Sequence, residues 1–112
     1  MAIVRLYTGD DGESHFEVLD LASHPELGTV QQNKGISFRS SPAGHFSDWH
    51  HAPRRQYVIT LSGEMEIGVG DGTHHHFGPG DVLLAQDLTG RGHTTRITST
   101  EPRTSATIPL ED

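Results

Sequence analysis

The sequence describes a short, acidic chain. It has 112 residues and a formal net charge of −7 at pH 7 with its histidines counted as neutral. A chain of this length forms one domain and buries about two thirds of its unfolded surface. The negative charge argues against nucleic acid as a partner, because phosphates require a basic surface. The chain has no cysteine, which excludes disulfide bonds and zinc–thiolate sites.

Signals for secretion and for membrane insertion are also absent from the sequence. Its first residues, M-A-I-V-R-L-Y-T, do not combine a charged region with a following apolar region, as a secretory signal would. No apolar run approaches the ~20 residues that a membrane-spanning helix needs. We therefore expect a cytoplasmic protein that does not contact a membrane.

Turn-forming residues divide the chain into short segments. The 13 glycines and 6 prolines fall between short apolar runs, a pattern typical of all-β proteins. No segment has a convincing helical pattern. Alternation of polar and apolar residues predicts about ten strands. The clearest of them cover residues 3–7, 14–21, 35–40, 56–61, 64–69, 73–77, 81–85, 93–98 and 104–110.

The most informative stretch is residues 48–63, which read D-W-H-H-A-P-R-R-Q-Y-V-I-T-L-S-G. It joins two adjacent histidines and two adjacent arginines to a strand that begins at Gln56. Because the side chains of a strand alternate between its faces, Gln56, Val58 and Thr60 share one face. We expect that face to point into the interior, while Tyr57 begins the opposite face.

This stretch resembles the first signature of the cupin superfamily, in which His-x-His is followed by a glutamate and later by a glycine. Gly63 matches the glycine, and Gln56 takes the place of the glutamate. Depending on the spacing, the histidines of the signature fall on His50 and Ala52 or on Trp49 and His51. The second signature, a turn with proline and glycine and then a histidine, resembles G-P-G-D at 78–81 followed by His93.

The resemblance implies a small single-domain cupin of the RmlC-like kind. Its fold would be all-β, a jelly-roll-like double-stranded β-barrel of two antiparallel sheets. One domain would span residues 1–112, with N-terminal strands and an arm in residues 1–34 and the barrel core in residues 35–110. Such a protein would bind a small polar organic molecule inside the barrel.

A divalent transition metal (Fe, Mn, Ni, Cu or Zn) is the cofactor that this resemblance implies. The candidate ligands are His50, His51, Gln56 and His93, since imidazole nitrogens and an amide oxygen suit such metals. Which of the two adjacent histidines takes part depends on the register of the signature. With a metal, the protein could be an oxygenase, an isomerase or a lyase acting on a small polar substrate.

The same residues support a metal-free alternative. A buried histidine is a natural general acid or base, so His50 or His93 would be the base of a dehydratase or isomerase. Tyr57 is a further candidate acid, although its face points away from Gln56. The protein could also be a ligand-binding module without catalysis, or its histidines could be hydrogen-bonded interior residues with no role.

Four residues are candidate ligand contacts. Arg54 or Arg55, at the rim of the pocket, would bind a carboxylate or phosphate through two N–H groups. Gln56 would contact the ligand from inside the barrel. Trp49 either packs at the barrel mouth or contacts the ligand, because large aromatic side chains serve both purposes.

Two further segments are expected at the surface. Residues 2–8 form a strand without a predicted hairpin partner, and an unpaired edge readily pairs with another chain. Because small cupins use N-terminal strands to contact a partner subunit, we expect a homodimer that uses this segment. In the tract 74–76, alternation places His74 and His76 on one face, which we expect to be solvated.

Overall fold

The computed structural model describes residues 1–111 and contains ten strands and one 3-10 helix, Pro25–Gly28. Within that part of the chain, no helix is long and apolar enough to cross a membrane. Each predicted strand is present, with bounds that differ slightly from the prediction. The strands are β1 (Ile3–Thr8), β2 (Ser14–Leu19), β3 (Ser37–Ser41), β4 (Phe46–His50), β5 (Gln56–Ser62), β6 (Met65–Gly68), β7 (His74–Phe77), β8 (Val82–Gln86), β9 (His93–Ile97) and β10 (Arg103–Pro109).

The strands form two sheets. The larger sheet has the order β2-β1-β8-β5-β10-β3, and the smaller one has the order β4-β9-β6-β7. Every pair of neighbours is antiparallel except β1 and β8, which are parallel. This is the predicted all-β, jelly-roll-like arrangement of two largely antiparallel sheets.

The position of β1 corrects one prediction. This strand pairs on both sides, with Ile3 opposite Leu19 of β2 and opposite Val82 of β8. Residues 2–8 are therefore not an unpaired edge, and the expectation that they offer a free edge to a partner subunit was wrong. The parallel partner was missed because no turn signal joins strands that are distant in sequence. The homodimer itself stays a prediction.

The hydrophobic core depends on β1 as much as on the later strands. Val4 and Leu6 are fully buried in the main cluster. The other buried members of this cluster are Ala52, Met65, Ile67, Val69, Phe77, Leu83, Ala85 and Ile97. A second, smaller cluster joins Leu19, Leu84 and Leu110, with Tyr57 packed against it.

Gly63 shows why the signature needs a glycine at the end of β5. Its φ is 74°, in the left-handed region that favours glycine. A Cβ atom at this position would also lie only 2.7 Å from the Cα atom of Arg103. The turn after β5 therefore packs directly on the first residue of β10, which places Arg103 beside the inward face of β5.

The burial of β1 gives a test of the fold. Leu6→Ala should lower the free energy of unfolding by about 2–5 kcal/mol, because a fully buried side chain leaves a cavity behind. Leu61→Ala is the matched control, and should change it by less than about 1 kcal/mol because Leu61 is 50% exposed. Urea denaturation of the two variants measures the difference. Equal effects would contradict a central position for β1.

Candidate functional site

A cavity of about 740 Å³ lies between the two sheets. This volume suits a small organic molecule. Gln56 and Val58 line the cavity, and Thr60 is buried, so the predicted inward face of β5 is confirmed. The apolar part of the lining also includes Met65, Ile67, Leu83, Ala85 and Ile97. Polar side chains from β3, β4, β9, β10 and the segments on either side of β4 form most of the remainder.

His50 and His93 meet at one side of this cavity. They are opposite each other on β4 and β9, and their ring centroids are 4.5 Å apart. His93 is 5% exposed, whereas His50 lies at the exposed rim. Gly92 makes this approach possible, because a Cβ atom there would lie 2.1 Å from the carbonyl oxygen of His50. The structure thus brings together the two histidines that the sequence predicted to converge.

A buried carboxylate holds the ring of His93. Nδ1 of His93 donates to Oδ2 of Asp87 at 2.5 Å, and Oγ of Ser14 donates to the same oxygen at 2.7 Å. Asp87 is completely buried, and its other oxygen, Oδ1, has no hydrogen-bond partner among the described residues. Because Nδ1 donates to the carboxylate, the neutral ring of His93 has an unprotonated Nε2.

The ring of His50 is held in a similar way. Its Nδ1 donates to the carbonyl oxygen of Asp48 at 2.7 Å. The neutral tautomer that this bond selects leaves Nε2 free to accept a proton or to bind a ligand. The cavity therefore has two neighbouring imidazoles, each with Nδ1 occupied and Nε2 available.

The other two candidate metal ligands have different surroundings. His51 lines the cavity, but its Nε2 bonds the carbonyl oxygen of Gly90 at 2.8 Å. Gln56 also lines the cavity, and its Oε1 is buried without a hydrogen-bond partner. Ala52, at the signature position in one register, is buried and has no ligating atom. Gln56 is thus the residue with an acceptor that the described residues leave unused.

These surroundings fit a metal only in part. Among residues 1–111, no three side chains of the His, Cys, Asp and Glu types converge as metal ligands would. The atoms that remain available to bind a metal are Nε2 of His50, Nε2 of His93 and Oε1 of Gln56. Two imidazoles and one neutral amide bind a divalent metal more weakly than a set that includes a carboxylate, because no ligand charge offsets the charge of the ion.

The candidate ligand contacts divide between the cavity and the outer surface. Arg54 lines the cavity, as predicted. Arg55 and Tyr57 line a separate depression on the other side of the larger sheet. Trp49 stacks against the guanidinium of Arg91 at 4.4 Å and does not line the cavity.

Tyr57 requires a correction as a candidate acid. Its hydroxyl donates to Oε1 of Gln31 at 2.7 Å, and its ring packs on the smaller core cluster. The alternation of side chains along β5 puts Tyr57 on the face opposite Gln56. It is therefore separated from the cavity and from His50, and it cannot exchange a proton with a molecule bound there.

Arg103 is a residue of the cavity that the sequence analysis missed. It is 6% exposed, and its Nε and Nη2 donate to Oγ1 of Thr60 at 3.2 and 2.8 Å. Burial lowers the pKa of Arg103 to about 10, so the side chain remains charged at neutral pH. Among the described residues it forms no ion pair with a carboxylate.

Strand alternation would have placed both Arg103 and Asp87, two residues that were not predicted for the site, on inward faces. Leu83 and Ala85 of β8 line the cavity, and Asp87 is the next residue in that alternation. In β10, Arg103 occupies the same face as Ser105, which also lines the cavity. The predicted strand at 81–85 ends before Asp87, and the predicted last strand at 104–110 begins one residue after Arg103.

The histidine tract of β7 lies outside the cavity, as predicted. His74 and His76 are exposed and face Glu66, with 2.8 Å between Nε2 of His76 and Oε2 of the glutamate. His75 points the other way and packs its ring against Phe77 at 4.9 Å. This pattern is that of an exposed strand at the edge of a sheet.

Known structures resemble this fold, although no protein-family model matches the sequence and no curated protein is significantly similar to it. A cupin 2 conserved barrel domain protein of Salinispora arenicola has a TM-score of 0.56 and 20% identity, over 74% of this chain and 67% of that one. A sugar phosphate isomerase from a cupin superfamily, of Silicibacter pomeroyi, has a TM-score of 0.54 and 19% identity, over 91% and 61%. The dTDP-6-deoxy-D-glucose-3,5-epimerase of Legionella pneumophila has a TM-score of 0.53 and 12% identity, over 96% and 64%.

Sequence identities this low show the fold and not the activity. The two sheets, their strand order, the cavity between them and the structural neighbours agree with the resemblance seen in the two signatures. The chain has a cupin fold.

Proposed function

We propose that the protein binds a small polar organic molecule in its cavity and catalyses a proton transfer on it, as an isomerase or a lyase. The observation that carries the proposal is the buried pair of Asp87 and His93. A carboxylate that accepts from Nδ1 orients the imidazole and stabilises the cation formed when Nε2 takes a proton. The cavity volume and its mixed lining provide the space and the polar contacts for the molecule.

The chemistry that this arrangement supports is a two-site proton transfer. Nε2 of His93 would accept a proton from the bound molecule, and the negative charge of Asp87 would stabilise the imidazolium. His50, with its ring centroid 4.5 Å away, would donate to a second atom of the same molecule a proton that its Nε2 has taken from solvent, and Nε2 of His93 would release its own proton to solvent at the end of the cycle. Moving a proton between two positions is an isomerisation, and loss of a leaving group after the first transfer is an elimination.

The reaction class has support from the names of two structural neighbours. One is named a sugar phosphate isomerase and the other a 3,5-epimerase. Both names describe reactions that rearrange a substrate without oxidising it. At identities of 19% and 12%, the likeness is an analogy of fold, and the reaction class is inferred from the residues of this chain.

Proton exchange tests the proposal directly. A panel of polar metabolites is first screened for compounds that raise Tm, since a ligand of the native state stabilises it. The bound compound is then incubated with the protein in D2O, and NMR follows the loss of its carbon-bound protons. Asp87→Asn should retain binding and slow this exchange by about 10²–10⁴-fold, the usual contribution of acid–base catalysis.

His93→Gln should abolish the exchange, and His76→Ala, an exposed histidine outside the cavity, is the control that should leave it unchanged. A bound compound whose carbon-bound protons do not exchange with D2O in the presence of the unaltered protein would contradict the proton transfer. The protein would then be a ligand-binding module without catalysis. Exchange that persists at full rate in both Asp87→Asn and His93→Gln would exclude this pair as its source.

A second candidate is a metal-dependent activity, and the unpaired Oε1 of Gln56 favours it. His50, His93 and Gln56 would supply the three donors, with the buried carboxylate of Asp87 behind His93, an arrangement common among metal-binding histidines. A bound transition metal would supply Lewis acidity or oxygen chemistry at the cavity. No step of the proposed proton transfer requires it.

Metal analysis of untagged protein tests this candidate. If the site exists, His50→Ala and His93→Ala should each lose the stoichiometric metal that survives dialysis. The double change of His74 and His76 to alanine should retain it, because these residues are exposed on β7. Retention of metal by both single variants, or failure of the unaltered protein to take up Fe, Mn, Ni, Cu or Zn, would rule out this site.

A further inference from the structure

The buried charge of Arg103 has no counterion in the part of the chain that the structure describes. The hydroxyl of Thr60 accepts from Nε and Nη2, but this oxygen is neutral. The remaining nitrogen, Nη1, has no hydrogen-bond partner among the described residues, yet it is not sealed from solvent. Since Arg103 lines the cavity, the cavity is where Nη1 can meet an acceptor. A buried charge without a partner is unfavourable, so this arginine is set up to receive an anion.

The strands around Arg103 form a polar wall. In the pairing of β3 with β10, Arg103 lies opposite Ser41, and Ser105 lies opposite Arg39. These residues face the same side, because positions two apart in a strand share a face. We call the wall of six cavity-lining residues the β3–β10 wall. It consists of Ser37, Arg39, Ser41, Arg103, Ser105 and Thr107. Two guanidinium groups and four hydroxyls are all hydrogen-bond donors, and the wall contains no carboxylate.

The charge balance of the cavity differs from that of the whole protein. Among the described residues, its lining includes Arg39, Arg54 and Arg103 against the carboxylate of Asp48, and the carboxylate of Asp87 lies behind His93. The chain as a whole has a net charge of −7. Because the surrounding surface is negative and the cavity is positive, an anion that approaches the protein is attracted at the cavity and repelled elsewhere.

We propose that the β3–β10 wall binds the anionic group, a carboxylate or a phosphate, of the molecule that occupies the cavity. This inference rests on the proposed function and names its substrate class as a small organic anion. The terminal nitrogens of Arg103 match two oxygens of such a group. Arg39 and the hydroxyls of Ser41 and Ser105 provide further donors.

This assignment also orients the molecule. The wall belongs to the larger sheet, whereas His50 and His93 belong to β4 and β9 of the smaller sheet. A molecule that places its anionic group against Arg103 therefore turns the rest of its structure toward the two imidazoles. Binding energy from the anionic group would then hold the reacting atoms in position, which is how remote contacts accelerate a reaction.

The test uses inorganic phosphate and acetate as probes of the full chain, titrated at constant ionic strength against chloride. NMR amide signals of Ser105 and Thr107 report on the wall. We expect saturable shifts with at least one probe, and affinity lower by about tenfold or more in Arg103→Gln, which loses charge-assisted hydrogen bonds. Arg39→Gln, on the exposed β3, should weaken the same probe. Arg96→Gln is the matched control, since Arg96 is exposed, stacks on Phe46 and lies outside the cavity.

A thermal melt separates binding from a structural role of Arg103. Arg103→Gln should keep or raise Tm in the absence of anion, because it removes an uncompensated buried charge. The inference is overturned if neither probe gives saturable shifts, or if Arg103→Gln and Arg39→Gln bind as tightly as Arg96→Gln. A neutral compound that binds and exchanges protons through His93 would then leave the proposed function intact. Conversely, anion binding without any proton exchange would support anion binding at the β3–β10 wall and would contradict the proposed proton transfer.

Discussion

Every side chain that points between the two sheets must be packed or hydrogen-bonded, and this requirement governs the arrangement of the site. An unpaired polar group in such a place costs about 1–3 kcal/mol. Along β8, the inward positions Leu83 and Ala85 are apolar, and the next one, Asp87, is bonded to Ser14 and His93. The inward positions therefore change from apolar to reactive where the chain leaves β8, and the apolar core and the reactive site are continuous.

The acceptors that remain unpaired mark where this requirement is not met within the described residues. Oε1 of Gln56 and Oδ1 of Asp87 are enclosed and have no partner there. Arg103 adds a charge without a counterion. Native proteins rarely leave such groups without an explanation, and a bound water, ion or other molecule is a common one. All three belong to the lining of the cavity or touch a residue that does, which is the pattern expected of a binding site.

Local patterns predicted most of the fold. Turn residues and alternation located the strands, and alternation also identified the inward face of β5, because these signals depend only on neighbouring residues. The pairing of β1 with β8 could not be predicted in this way. It joins distant segments in parallel, and what selects it is the burial of Val4 and Leu6 against other strands.

The site was predicted less completely than the fold, for a related reason. His50 and His93 were identified by their places in the two signatures, but the orientation of His93 depends on Asp87, which follows β8 and which no signature includes. Tyr57 was proposed from its chemical type, although the alternation that confirmed Gln56 already placed it on the other face. The chemical type of a residue predicts a role in the site only when the face of the sheet to which its side chain points is also known.

The two sides of the cavity differ in exposure. The larger sheet has six strands and the smaller has four. Its edge strand, β3, pairs only with β10, and Arg39 is exposed although it lines the cavity. His93, by contrast, is enclosed together with Asp87. A small molecule can therefore meet the exposed part of the β3–β10 wall before it reaches His93. Binding would also cover β3, so occupancy of the cavity and stability of this edge are thermodynamically linked.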